Sequence, residues 1–83
     1  MPKSKGTDKA VRILSLYKRL SEGKIIIKRD EAAEFDVTER TIQRDLDDIR
    51  CFMTERHLYE DIVYDHKRKG HILIQPKKNE KLF

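Results

Sequence analysis

The segment from Thr38 to Arg56 constrains the fold more than any other part of this sequence. Its apolar residues recur at spacings of three and four, so at about 100 degrees per residue they share one side of a helix. They are Ile42, Leu46, Ile49 and Met53, with Phe52 flanking them. Thr38 stands just before this pattern and supplies a hydroxyl that can cap the first turn. The segment therefore predicts a helix with one buried face that other elements must cover.

The opposite side of this predicted helix carries polar and basic residues close to its start. Arg40, Gln43 and Arg44 point away from the apolar side within the first two turns. In a helix-turn-helix, the N-terminal residues of the second helix approach base edges in the major groove of DNA. Arg can donate two hydrogen bonds to guanine and Gln can pair with adenine. We therefore predict that these three residues contact bases, and that Thr38 and Thr41 contact phosphate.

The chain before this segment predicts a first helix and a short strand. Thr7 is positioned to cap a helix with one apolar stripe that runs to about Ser21, and Gly23 follows as a typical stop. The three isoleucines at 25–27 form a β-branched run too short for a helix of their own, so we expect a short strand there.

A second helix and a tight turn are predicted between the strand and Thr38. Asp30 can cap a helix that continues through Phe35. Asp36 and Val37 then form the turn, because Asp tolerates the left-handed backbone region better than most residues. These elements complete a helix-turn-helix.

The C-terminal third of the chain predicts a β-hairpin. Residues 61–65 and 71–75 are rich in β-branched and aromatic residues, and a basic loop at 66–69 joins them. Gly70 is expected to take the positive φ of a bulged loop. The loop side chains Lys67, Arg68 and Lys69 are candidates to contact adjacent DNA backbone or the minor groove. The whole order predicts an α+β winged helix-turn-helix with three helices, a short strand and a C-terminal hairpin wing.

Length and charge agree with one small nucleic-acid-binding domain. The 83 residues divide into a flexible basic N-terminus (1–6), the winged helix (7–76) and a basic tail or linker to an absent domain (77–83). The net charge is +4, but residues 31–60 carry 4 basic and 9 acidic groups. We expect Asp45, Asp47 and Asp48 to lie on turns that a docked helix carries away from DNA. No apolar run approaches a membrane span, and a cytoplasmic, nucleoid-associated protein is expected.

No enzymatic chemistry, metal or cofactor is predicted. The single cysteine, Cys51, excludes an internal disulfide, and its pairing with His57 as a metal or redox site has little support. The serines have no nearby His and Asp grouping, and no glycine-rich phosphate loop occurs.

Two strings in this chain resemble a known family. AAEFDVTERTIQRDLDDI at 32–49 and IVYDHKRKGHIL at 62–73 are similar to the N-terminal winged-helix domain of bacterial DeoR-like regulators, especially those with a C-terminal WYL domain. The resemblance covers roughly Ala10 to Gln75. It implies double-stranded DNA as partner, a homodimer on paired half-sites, and DNA contacts by a defined set of residues. These are Thr38, Arg40, Thr41, Gln43, Arg44, Lys67, Arg68 and Lys69.

The sequence departs from the family pattern at three positions. Glu31 stands where the family usually has Leu, Asp36 where it usually has Gly, and His71 where it usually has Tyr. We therefore expect looser packing of the second helix. No WYL segment occurs in these 83 residues, so ligand sensing is not attributed to them.

Other functions fit parts of the same pattern. A winged helix that binds a protein could use the acidic flank of the third helix, and a small nucleic-acid-binding protein could bind without sequence preference. At the level of single residues, Arg44 could simply pair with Asp48 one turn later on the helix.

Overall fold

A computed structural model describes residues 8–75 and places them in three helices followed by a two-stranded antiparallel sheet. The elements are α1 Lys9–Ser21, α2 Lys28–Phe35, α3 Glu39–Glu55, β1 Asp61–Asp65 and β2 Gly70–Ile74. This α+β order is the layout of a winged helix and confirms the predicted fold class. The predicted flexible N-terminus (1–6), the Thr7 cap and the tail (77–83) lie outside the described residues.

The start of α2 differs from the prediction. Asp30 does not cap this helix, which begins two residues earlier at Lys28 after an extended Ile27. The reason is that Ile26 is held in backbone pairing with the hairpin, so the chain stays extended up to Ile27 and turns directly into the helix. Asp30 lies instead in the first turn, where a carboxylate favours the positive end of the helix dipole.

The three isoleucines form one bridge in place of a full strand. Ile26 N donates to His71 O at 2.8 Å, and His71 N donates to Ile26 O at 2.8 Å. This isolated antiparallel pair is the only part of the predicted strand that the structure shows within residues 8–75. The pair joins the segment before α2 to the root of the hairpin.

The hairpin turns at Lys69, so the predicted positive φ at Gly70 is wrong. Lys69 has φ 59°, and Gly70 begins β2 opposite Asp65. Glycine is required at position 70 for space: an added Cβ would clash with Ile25 Cγ2 and lie 3.0 Å from Ile26 O. The predicted left-handed turn at Asp36 is confirmed by its φ of 59°, and Gly23 has φ 83° just past α1.

The core lies between α3 and the other elements. The predicted apolar side of α3 is buried, whereas the flanking Phe52 is 48% exposed and stacks edge-on against Tyr17. From α1, Leu16 and Leu20 pack into the same cluster, and Ile62 of β1 joins it from the hairpin. The core therefore fixes α3 and the hairpin relative to each other.

Candidate nucleic-acid interface

The first turn of α3 is capped as predicted. Thr38 Oγ1 accepts a hydrogen bond from Thr41 N at 3.1 Å, and the two threonine hydroxyls are 3.1 Å apart. The cap satisfies one of the N–H groups that a helix start leaves without an intrahelical partner. The remaining N–H groups and the positive end of the dipole make this end of α3 favourable for a phosphate oxygen.

Arg40 and Arg44 lie one turn apart on the exposed side of α3, directly after the cap. Among residues 8–75, no acidic side chain forms an ion pair with either guanidinium. The alternative pairing of Arg44 with Asp48 is not observed, because Asp48 is bound by Lys9 Nζ at 2.9 Å. Both arginines therefore present their full donor sets to solvent.

Each of the three aspartates of α3 forms an ion pair, two with basic residues of α1 and one with a basic residue of α3 itself. Lys9 binds Asp48, and Arg50 Nη1 binds Asp47 Oδ1 at 2.8 Å. Asp45 is bound by Arg12 of α1. Asp45, Asp47 and Asp48 are thus each in an ion pair, whereas Arg40 and Arg44 are in none within residues 8–75. The first turn of α3 also carries one acidic residue, the exposed Glu39.

Asp45 corrects the prediction that it lies on an outward turn with the other two acids. Its side chain is 1% exposed, and it accepts from Arg12 Nε through Oδ2 and from Arg12 Nη2 through Oδ1, the latter at 3.2 Å. The bond to Asp45 raises the pKa of Arg12 above its ordinary value. The burial of Asp45 could have been predicted from the sequence, since on a helical projection Asp45 lies only about 40 degrees from Ile49 and thus on the buried side.

Gln43 is held by neighbours instead of projecting freely. It is half-buried; Lys28 Nζ donates to its Oε1 at 2.9 Å, and its Nε2 donates to Asp47 Oδ1 at 3.0 Å. Sequence analysis missed Lys28 and Arg50 as parts of this surface. No local pattern pointed to Lys28, because it is 15 residues from Gln43 and meets it only through the packing of α2 on α3.

The basic loop of the hairpin is exposed and has a defined backbone. Asp65 Oδ1 accepts from Lys67 N at 2.9 Å and from Arg68 N at 3.3 Å, while Asp65 O accepts from Lys69 N at 2.7 Å. All three side chains, Lys67, Arg68 and Lys69, lie at the exposed tip. Asp65 therefore shapes this turn, and its Oδ2 also lies 3.7 Å from Arg68 Nε, so that Arg68 is ion-paired with the carboxylate that shapes the loop.

Arg50 connects this hairpin to α3. Its Nη2 donates to Ile62 O of β1 at 2.8 Å, and its Nε donates to the same oxygen at 3.3 Å. The guanidinium also binds Asp47 on its own helix. The hairpin is thus fixed to the same helix that carries Arg40 and Arg44, by this contact and by the burial of Ile62.

The part of the chain that the structure describes contains no group of three or more His, Cys, Asp or Glu side chains arranged for a metal ion. None of the three helices is long and apolar enough to cross a membrane. A scan against protein-family models finds no match for this chain, and searches of curated proteins and of solved structures find none either.

Proposed function

We propose that this chain binds double-stranded DNA in a sequence-specific manner, as the DNA-binding domain of a bacterial transcription regulator related to the DeoR-like and WYL-associated families. One observation carries the proposal: at the capped start of α3, Arg40 and Arg44 are exposed and have no ion-pair partner within residues 8–75, while each aspartate of the same helix is paired. The sequence resemblance supports the same conclusion. Action at the nucleoid in the cytoplasm follows from it.

In this proposal the start of α3 enters the major groove. Arg40 and Arg44 donate to guanine edges, Gln43 contacts a neighbouring base, and Thr38 and Thr41 lie against phosphate. The wing residues Lys67, Arg68 and Lys69 contact adjacent backbone or the minor groove. Two copies on paired half-sites would strengthen binding, since a domain of this size offers few contacts by itself.

Selection of duplexes from a random library, followed by anisotropy titrations over a salt series, tests the proposal. Wild type is compared with Arg40→Ala/Arg44→Ala and with a charge-matched control, Lys24→Ala/Arg56→Ala, which removes two exposed basic residues outside the start of α3. We expect a defined motif and a loss of roughly 1–3 kcal/mol of base discrimination per arginine. If six to eight basic groups engage phosphates, the slope of log K against log salt should be about −5 to −7. The control should lose no discrimination.

A protein-interaction winged helix is the second candidate, and a specific feature favours it. Val11 and Leu14 on α1 are 51% and 67% exposed, and Phe52 of α3 is 48% exposed. If no motif is selected and the arginine variant binds DNA as wild type does, the protein-interaction function takes the place of DNA recognition. Equal binding to unrelated duplexes and to RNA would instead indicate a non-specific nucleic-acid-binding protein.

A further inference from the structure

The amide of Gln43 is bound at both of its polar atoms before any ligand is present. Lys28 Nζ, at the start of α2, donates to Gln43 Oε1 at 2.9 Å. Gln43 Nε2 donates to Asp47 Oδ1 at 3.0 Å. The side chain therefore bridges the start of α2 and the second turn of α3.

These two partners fix which way the amide is turned. An ammonium group can only donate hydrogen bonds, and an ionised carboxylate can only accept them. Rotating the Gln43 amide by half a turn would set its NH2 group against Lys28 and its oxygen against Asp47. Both hydrogen bonds would be lost, so one orientation is strongly preferred.

The far end of this arrangement is anchored in the core scaffold. Arg50 Nη1 donates to the same Asp47 oxygen at 2.8 Å, and Arg50 Nη2 donates to the carbonyl of Ile62, a buried residue of β1. A continuous polar chain thus runs from Lys28 through Gln43, Asp47 and Arg50 to the hairpin. Its two ends lie on elements that the core holds in place.

Helix stability does not explain why a lysine occupies the first position of α2. The positive end of a helix dipole disfavours a cation, and Lys28 is the first residue of this helix. Its ammonium group donates to the side-chain oxygen of Gln43 instead of to an acidic side chain. The hydrogen bond to the Gln43 side chain gives a reason for a lysine at this position.

We propose that Lys28 is a specificity-determining residue that acts through Gln43, an inference that rests on the proposed DNA-binding function. A primary amide offers two donor hydrogens and two acceptor lone pairs, and Lys28 and Asp47 take one of each. One donor and one acceptor remain, which is the set that pairs with adenine in the major groove. A Gln43 amide that is free to rotate could turn its oxygen away and present only donors to the acceptors of guanine or thymine.

The experiment uses the selected duplex of the wild-type protein. The position at which Gln43→Ala abolishes base preference is located first, and four duplexes with each base pair at that position are titrated by anisotropy. Lys28→Met removes the hydrogen-bond donor at position 28, and Lys28→Arg keeps a donor there. The control variant, Lys24→Met, removes an exposed lysine outside the polar chain.

Wild type is expected to prefer adenine at this position by about fivefold or more. Lys28→Met should reduce the preference to less than about twofold, and the double variant Lys28→Met/Gln43→Ala should show no further loss, since the two residues act as a unit. Lys28→Arg and Lys24→Met should retain most of the preference. In the DNA-free protein, the side-chain amide NMR signals of Gln43 should shift in Lys28→Met and not in Lys24→Met.

Three results would overturn the inference. The first is that Lys28→Met keeps the wild-type preference. The second is that it weakens binding to all four duplexes by the same factor, as loss of a plain phosphate contact does. The third is that Gln43→Ala changes no position of the motif. Failure of the proposed function is a different outcome, because no motif would then be selected by the wild-type protein at all.

Discussion

Two acidic side chains are buried in this small domain, and their surroundings differ. Asp45 of α3 accepts hydrogen bonds from Arg12 through both carboxylate oxygens. Glu31 of α2 is bound by Arg19 Nη1 through Oε2 at 3.0 Å, but its other oxygen has no hydrogen-bond partner within residues 8–75. One acid is fully paired and the other is half paired.

The difference shows that the effect of a buried carboxylate on stability depends on its hydrogen-bond partners. Taking a carboxylate out of water costs several kcal/mol, and only good pairing geometry offsets that cost. Asp45 has this geometry, and it links α1 to the helix that carries Arg40 and Arg44. Burial raises the pKa of Glu31 above its ordinary value of 4.5. The first acid supports the fold, whereas the second is tolerated.

The largest expected effect is on the fully paired acid. Arg12→Met keeps much of the side-chain volume but leaves Asp45 buried without its two donors, so unfolding free energy should fall by about 3–5 kcal/mol. Urea denaturation measures this loss. Lys18→Met, an exposed substitution on the same helix, should stay within about 0.5 kcal/mol of wild type.

A double substitution separates pairing from burial at this site. Arg12→Met/Asp45→Leu removes both charges, and replacement of a buried ion pair by apolar residues is often close to neutral. We expect the double variant to recover most of the lost stability. If it is as unstable as Arg12→Met alone, the uncompensated carboxylate is not the cause.

Replacement of the half-paired acid should have a smaller effect of opposite sign. Glu31→Leu removes a buried oxygen that lacks a donor and leaves Arg19 bound to Glu34, whose oxygens lie 3.1 and 2.9 Å from Arg19 Nη2. We expect unfolding free energy to rise by up to about 1 kcal/mol, because the unsatisfied group is lost. A loss of more than that amount in the same denaturation assay would place Glu31 with Asp45 as a stabilising acid.

The half-paired acid, Glu31, also predicts a pH dependence of stability. Burial, the largest cause, raises the pKa of Glu31 in the folded protein, so folding favours its protonated form. The stabilising contribution of protonation is present below the unfolded pKa and is lost as pH rises from about 4.5 through the higher folded pKa. Glu31→Gln should remove this part of the pH dependence. Equal slopes for wild type and Glu31→Gln between pH 4 and 7 would contradict it.

The smallest effect is expected at the exposed neighbour of the half-paired acid. Glu34 shares Arg19 with Glu31, but its side chain is 47% exposed. Exposed ion pairs contribute about 0–1 kcal/mol, so Glu34→Ala should change stability by less than about 1 kcal/mol. Measured beside Glu31→Leu, it shows whether Arg19 stabilises α2 through the buried or the exposed partner.

Much of the fold could be predicted from the sequence because its signals are local. The apolar side of α3, the Thr38 cap and the left-handed Asp36 each depend on residues a few positions apart, and all three are present. The sequence places the N-cap of α2 at Asp30, three residues after the observed N-cap, Ile27, since the pairing of Ile26 with His71 is a contact between segments that are distant in the sequence. Gly70 was correctly recognised as a special position but for the wrong reason, because the clash that requires glycine involves Ile25.

The candidate site was predictable to the same extent. The exposed positions of Arg40, Arg44 and the loop lysines follow from helical spacing and hairpin position. Three partners did not follow, because they lie on other elements and meet α3 only through packing: Lys28 for Gln43, Lys9 for Asp48 and Arg12 for Asp45.

The sequence by itself determined where the helices and the hairpin form, which side of α3 is buried and which basic side chains are left outside. Helical periodicity, caps and turn residues act over a few positions, so the chain carries these signals before it folds. Only the tertiary structure decided which charges cancel. Arg12 and Asp45 are 33 residues apart, and their pairing depends on how α1 packs against α3. That packing pairs Asp45 with Arg12 and Asp48 with Lys9, and it leaves Arg40 and Arg44 exposed at the start of α3.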